Sequence, residues 1–536
     1  MSVPPPGADS LITRHWPWVV ASVAYALVLG QWVSLLAEVM GTFIYGLDDP
    51  YIHMSMARSL SADGVFGITP EGFTSSSSSP AWTLLLALLF EVLGPLHDLA
   101  LWLNVLQGVA VLAIVSEALR AQGVTAPPRF LASLAFVFLT PLPTLAVAGL
   151  EHSQHLALAL LFSWLVSRAC VDGATTKQSA LLAVVSLLMV ATRYEGAFLV
   201  AAAFAVLLLH RQTVPALLAT FCGALAPVVY AVVSLAHGWY AVPNSVLLKG
   251  ASQRPLGLFG KVSYYWGAFL RQCYGAPYHL PLLVLAAATL LRSDDSGQAR
   301  KARVVLWLYL LVAPVHLTLA KVGYFHRYDA YLVALGLFGL LIYWAPKNLR
   351  EELWPKESAR RALVVALAIF AAIPVLFRAW RALRETPTAS KNIFDQQLQM
   401  ARIAAGFSPT ARVALHDIGA VTWFNPDVRI VDIWGLASMK AARAARQGPI
   451  SEAAVRELVT ENGSEIAMVY EAWYPRRIPR EWIRVARLTI SDNVVAGHPT
   501  VSFYGTTLEN ASRLRSAIVA AGVPNDVAVS FDPQTP

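Results

Sequence analysis

The stretch Leu-Asp-Asp-Pro-Tyr-Ile-His, Leu47 to His53, sets two adjacent carboxylates, Asp48 and Asp49, just beyond a long apolar run. A carboxylate at the edge of a membrane, beside a second one, holds its proton more tightly than usual and can accept a proton from a hydroxyl as a general base. The plainer reading is structural: Asp49 caps a helix, Pro50 fits its first turn, and His53 is a solvated neighbour on the same face.

Further chemistry-bearing groups recur at similar boundaries. Glu151, His152 and His155 stand at the start of an apolar segment, with Glu151 and His155 four apart and able to hold a metal or orient an acceptor. Arg193 and Glu195 fall within apolar sequence, where ionisable groups are costly and line cavities or pair with each other. Asn244 and Lys249 lie in a long loop and suit a phosphate, the lysine as a point charge. His326 and Arg327 sit among Tyr324, Tyr328 and Tyr331; the tyrosines read as interface anchors and the guanidinium as a phosphate ligand.

The elements that must position these groups are membrane spans. Of 536 residues, 56% are hydrophobic and 14% charged, against about 25% charged in a soluble domain. Apolar runs near the length that crosses a bilayer fall at 16–38, 98–119, 129–149, 153–171, 178–194, 196–210, 213–236, 277–292, 303–321, 328–345 and 361–380. The first is too long for a signal-peptide core and is expected to remain as a span. The segment 80–94 is too short and is expected to lie at the membrane surface. With the N-terminus inside, the cytoplasmic segments then carry fifteen lysines and arginines against eight in the outer loops, as the positive-inside rule requires. Letting 80–94 cross would invert every later loop. The net charge of +8 is therefore topological, and nucleic acid is not an expected partner. The three cysteines are far apart in the chain and imply neither a disulfide framework nor a metal site.

This gives a polytopic α-helical membrane domain, 1–383, of about eleven spans, with surface helices in its first outer loop. A small α/β domain, 384–536, follows on the outer face. Alternating runs at Ala411–Gly419, Val428–Trp434, Glu465–Trp473 and Val501–Thr507, with a helix-like piece at Ser451–Gly463, support the second part.

Six pieces together resemble the GT-C superfamily of integral-membrane glycosyltransferases, which use polyprenyl-phosphate-linked sugars. They are LDDPYIHMSMARSLSADGVFGI, GFTSSSSSPAWTLLLALLFEVLG, GLEH, TRYEG, VPNSVLLKG and VALHDIGAVTWFNPDVRIVDIWGLA. The nearest branches are the bacterial ArnT-like and protein-mannosyltransferase-like enzymes and the mycobacterial terminal arabinofuranosyltransferases. Tyr194 stands where the superfamily usually has proline, and Ser245 where it has threonine. The resemblance implies an inverting sugar transfer to a cell-envelope glycan, glycolipid or protein, on the outer face of a bacterial plasma membrane. Asp48 or Asp49 would act as base, Glu151 would assist acceptor or metal binding, and Lys249, Arg327 and Asn244 would contact the donor phosphate. His53, His152, His155, Arg193, Glu195 and His326 would complete the pocket. A divalent metal stays open. The rival from another class is a transporter or flippase of lipid-linked sugars, which would place its ionisable groups near mid-bilayer, often in repeated halves.

Overall fold

The computed structural model describes residues 11–248, 258–292, 294, 296–346 and 358–533. Lys249 lies outside them. Five helices among these residues are long and apolar enough to cross a membrane: Leu11–Met40, Leu99–Ala121, His152–Asp172, Thr213–Ala236 and Gly297–Leu319. Two bent pairs, Ala126–Leu139 with Leu142–Ala148 and Gly260–Gly275 with His279–Leu290, raise the number to seven if each is one span. The apolar segments expected at 178–194, 196–210 and 328–345 are helices Thr176–Thr192, Gly196–Leu209 and Ala330–Trp344, all shorter than 18 residues. The chain is polytopic and helical; among the described residues five to seven spans qualify by length and composition, and the expected eleven are not confirmed.

Helix Pro80–Leu93 is 14 residues, about 21 Å, well short of a ~30 Å hydrocarbon layer. It buries Trp82, Leu86 and Phe90 and leaves Leu84, Leu88 and Val92 exposed. Helix Asp49–Asp63 packs beside it and ends at Gly64, whose φ of +70° closes a left-handed cap that a side chain would resist. The helix begins one residue earlier than the capping pattern suggests. Asp48 is its N-cap residue, and the Asp48 side chain does not cap it.

The helices alternate in direction, so their ends sort to two sides. The starts of His152–Asp172, Gly196–Leu209 and Ala330–Trp344 and the ends of Thr176–Thr192 and Gly297–Leu319 all fall at one end of the bundle. Close packing holds this register: a Cβ on Gly223 would sit 2.7 Å from Ser186 Oγ of the facing helix.

A 38-residue helix, Ser358–Asp395, carries the chain out of the bundle and contains the junction expected at 383–384. Beyond it lies a six-stranded mixed sheet of β1 (Arg412–Leu415), β2 (Arg429–Asp432), β3 (Ile466–Val469), β4 (Ile483–Thr489), β5 (Thr500–Gly505) and β6 (Ala528–Phe531), in the order β2-β1-β3-β5-β4-β6. β1 pairs in parallel with β2 and β3; the other pairings are antiparallel. Alternate residues separate the two faces. Val413, Leu415, Ile466 and Met468 pack on helices Gln397–Phe407 and Leu508–Ala520, while Ala414, Ala467 and Val469 pack on Val455 and Leu458 of helix Glu452–Glu461. The first of these cores also takes in Ile52, Met56 and Ile68 from the first loop of the membrane domain. The two parts therefore share apolar surface, and the tail is seated on the end of the bundle.

Candidate active site

At the start of helix Asp49–Asp63 the two adjacent aspartates take different partners. Asp48 turns to the tail, where its carboxylate accepts the backbone N–H groups of Gly419 (2.8 Å) and Ala420 (2.7 Å). Ten residues on, Arg58 donates to the carbonyls of Trp423 and Thr422, both at 2.8 Å. The short tail helix Gly419–Phe424 is thus held by an anion at its N-terminus and a cation at its C-terminus, matching its dipole. Burial beneath the tail, with the nearby Asp417 carboxylate, pushes the Asp48 carboxyl above its ordinary range, against the pull of its two N–H donors.

Asp49 faces the other way, into a cavity of about 480 Å³ at the bundle end. Its carboxylate accepts a 2.6 Å hydrogen bond from Arg327 Nη2. Arg327 is buried, with its guanidinium carbon 5.1 Å from the Tyr324 ring and 4.8 Å from the Tyr328 ring. Nη2 also donates to Tyr328 Oη (3.1 Å), while Nε and Nη1 find no partner among the described residues. Buried guanidinium donors left open are costly, and these two stand available to an acceptor.

The backbone that presents Arg327 is strained. Tyr324, Phe325 and His326 have φ of +37°, +57° and +57°, left-handed values that side-chain-bearing residues seldom adopt, at about 1–3 kcal/mol each. Four bonds hold the turn. Asp329 accepts the Gly323 N–H (2.9 Å), Arg378 donates to the His326 carbonyl (2.7 Å), His326 pairs with Glu385 (3.0 Å), and Tyr324 Oη donates to the Val495 carbonyl (2.9 Å). Asp329 is itself fixed by Tyr278 (2.7 Å) and His279 (2.8 Å). His326 therefore supports the turn from behind and does not line the cavity.

On another wall Arg193 is clamped between two carboxylates. Its Nη1 donates to Glu151 (2.7 Å) and to His152 Nε2 (2.9 Å), and its Nη2 to Glu195 (2.6 Å). Arg193 ends helix Thr176–Thr192 and Glu195 begins helix Gly196–Leu209, so the ion pair also fixes the turn between them. Tyr194 lines the cavity beside them. Glu151 Oε2 is buried with no partner among the described residues.

The remaining expected residues sit apart. His53 bonds to Thr83 (2.9 Å) and Ser77 (3.3 Å), joining the two surface helices. His155 is buried with its ring against Tyr331, away from the cavity wall. Asn244 donates to the Gly435 carbonyl (2.8 Å) and takes the Ser75 carbonyl on its backbone N–H (3.0 Å), so it ties the tail to the rim while its neighbour Ser245 lines the cavity. Glu151 Oε1 is engaged by Arg193, His155 lies off the cavity wall, and no three His, Cys, Asp or Glu side chains gather as candidate metal ligands among the described residues. Two cations missed in the sequence, Arg271 and Lys321, also line the cavity. In the sequence they look like ordinary outer-loop charges; only the fold brings Arg271, on helix Leu258–Gly275, and Lys321, just past helix Gly297–Leu319, to one cavity.

Comparisons with known proteins bear on the fold. The structure superimposes on ArnT from Cupriavidus metallidurans bound to undecaprenyl phosphate with a TM-score of 0.54, at 12% identity, over 92% of this chain and 99% of that one. The apo state of the same protein gives 0.51, at 13% identity, over 92% and 98%. An Archaeoglobus fulgidus oligosaccharyltransferase superimposes at 0.47, at 12% identity over 97% and 76%, too loosely to bear on the argument. The model of a domain of unknown function, DUF8728, matches residues 391–504, within the tail. Comparison with curated protein sequences finds no significant match. The chain thus shares the polytopic helical fold of ArnT, with a small C-terminal α/β domain.

Proposed function

We propose that the protein is an inverting glycosyltransferase that moves a sugar from a polyprenyl-phosphate donor to an acceptor of the cell envelope. The observation that carries this is the pairing, in one cavity, of the Asp49 carboxylate with a buried Arg327 whose Nε and Nη1 donors remain open. ArnT, whose fold this chain shares, is bound to undecaprenyl phosphate in one of its structures, and a lipid phosphate is the kind of anion that would satisfy Arg327. Arg271 and Lys321 add positive charge on the same cavity.

In the reaction Asp49 takes the proton of the acceptor hydroxyl. The hydroxyl oxygen bonds to the anomeric carbon from the face opposite the phosphate. The bond from that carbon to the phosphate oxygen breaks, and its electron pair stays with the polyprenyl phosphate. Arg327 stabilises the charge that gathers on the phosphate as it leaves. The Glu151–Arg193–Glu195 cluster shapes the wall facing the acceptor. The acceptor is a glycan, glycolipid or protein, and the sugar a hexose or pentose. The positive-inside bias supports a bacterial plasma membrane with cavity and tail facing outward. A cavity at one end of the helix bundle favours transfer over transport.

The test is Arg327→Gln in nanodiscs, measuring undecaprenyl phosphate binding by native mass spectrometry. At least tenfold weaker binding is expected. Unchanged affinity would remove the phosphate from this arginine.

A further inference from the structure

The tail presents an aromatic surface that the membrane cavity does not explain. Trp434 is 39% exposed, the one aromatic residue among the large exposed hydrophobics of the described tail; the others, Leu508 and Val519, lie on helix Leu508–Ala520. Its position is fixed at some cost. The Asp432 carboxylate, buried at the end of β2, accepts the N–H groups of Trp434 (2.7 Å), Gly435 (3.1 Å) and Ala437 (2.5 Å), so a buried charge is devoted to shaping this loop. Gly435 has φ +104°, and a Cβ there would fall 2.7 Å from the Ala442 nitrogen.

Trp473 stands beside it, ring centroids 4.9 Å apart and planes at 46°, half-buried. Behind Trp473 lie Tyr470 at 5.1 Å and the buried His416 at 5.0 Å, whose two ring nitrogens have no partner among the described residues. Gly497 leaves room for the indole: a Cβ there would come within 2.4 Å of it.

The loop also has a definite address. Asn244 bonds to the Gly435 carbonyl and Ser76 Oγ to the Leu436 carbonyl (3.0 Å), and Ser245 and Ser78, one and two residues from these contacts, line the cavity. Trp434 is therefore held at the rim of the proposed active site. A rigid, exposed indole in such a place suits the apolar face of a sugar ring, since tryptophan offers large contact area at little entropic cost.

We propose that Trp434, backed by Trp473, is a carbohydrate subsite that holds an acceptor sugar unit outside the reacting one, so that the acceptor is an oligosaccharide chain rather than a lone small molecule. This rests on the glycosyltransferase reading. A membrane anchor is the other use of an exposed tryptophan, but Trp434 is a single indole on a loop seated against Asn244 and Ser76, without a surrounding exposed apolar face in the tail.

The experiment uses the full chain in nanodiscs and saturation-transfer NMR with α-mannotetraose, arabinotetraose and maltotetraose. Wild type is expected to bind at least one of them, Trp434→Ala to weaken that binding at least tenfold, and Trp434→Phe to keep most of it. Undecaprenyl phosphate binding should change less than twofold in both variants. Equal oligosaccharide binding by wild type and Trp434→Ala, or no binding of any of the three by wild type, overturns the subsite. So does a Trp434→Ala variant that loses only affinity for vesicles of phosphatidylglycerol. If sugar transfer is absent while Trp434-dependent binding persists, the subsite stands and the enzymatic reading falls.

Discussion

Replacing Asp48 by asparagine should loosen the tail from the membrane domain while leaving the cavity intact. Asparagine keeps the shape but has one acceptor where the carboxylate has two, and its NH2 group would face an N–H donor. At a pH high enough to ionise this raised carboxyl, one charge-assisted bond is lost and one backbone N–H, of Gly419 or Ala420, is orphaned. Bonds to charged groups contribute about 1.5–3 kcal/mol, and a buried orphan costs about 1–3 kcal/mol. Because the packing of Ile52, Met56 and Ile68 into the tail core is unchanged, a net loss near 3 kcal/mol is expected at this contact. At about 1.4 kcal/mol per factor of ten, local opening becomes roughly 100-fold more frequent. Hydrogen–deuterium exchange read on peptides covering 417–425 measures this directly. Exchange should speed up in that segment and stay near wild type across 463–470 in the centre of the sheet. An increase of less than twofold would show that Asp48 does not secure the tail, and the division of labour between the two aspartates would fail with it.

Arg193→Met leaves Glu151 and Glu195 facing each other without their shared cation, and loss of one partner of a buried ion pair costs about 3–5 kcal/mol. A clear fall in thermal stability in detergent is expected, largely restored by Arg193→Met/Glu151→Gln/Glu195→Gln; no restoration would show that packing, not charge, is what was lost. Within the tail, burial would raise the Glu471 carboxyl, but hydrogen bonds from Tyr504 and Ser502 and the Arg487 charge outweigh it and hold it down at about 2. Its folded value lies below its unfolded one, so its contribution is complete above about pH 4.5 and is lost as pH falls toward 2. Glu471→Gln should flatten that part of the acid-unfolding profile followed by tryptophan fluorescence, and an unchanged profile would assign the acid sensitivity elsewhere.

How much of this was legible before the structure depended on the length scale of each interaction. Apolar runs mark helices because burying them is a local demand, and Glu151, Arg193, Glu195 and Arg327 stand out because charge within such runs needs a reason. The number of crossings was less legible, since a bent pair such as Gly260–Gly275 with His279–Leu290, at 99°, has the same composition as two spans. The split between Asp48 and Asp49 could not be read at all: Asp48 meets its partner 371 residues away in the chain. Asn244 and His53 looked like site residues because their types suit ligands, yet Asn244 ties the tail to the rim and His53 bonds across the two surface helices. In the tail, β1, β2, β3 and β5 show in the alternation. β4 and β6, the strands carried toward the sheet edge, were not singled out, although β4 pairs with β5 over most of its length.

The most direct measurement is sugar transfer by the purified full chain, in nanodiscs, from a panel of radiolabelled polyprenyl-phosphate sugars to cell-envelope acceptors, comparing wild type with Asp49→Asn. Wild type should transfer from at least one donor with inversion at the anomeric carbon, and Asp49→Asn should lose at least 100-fold in rate while still binding undecaprenyl phosphate. An Asp49→Asn protein that transfers at the wild-type rate, or a product that retains the donor's anomeric configuration, would contradict the account.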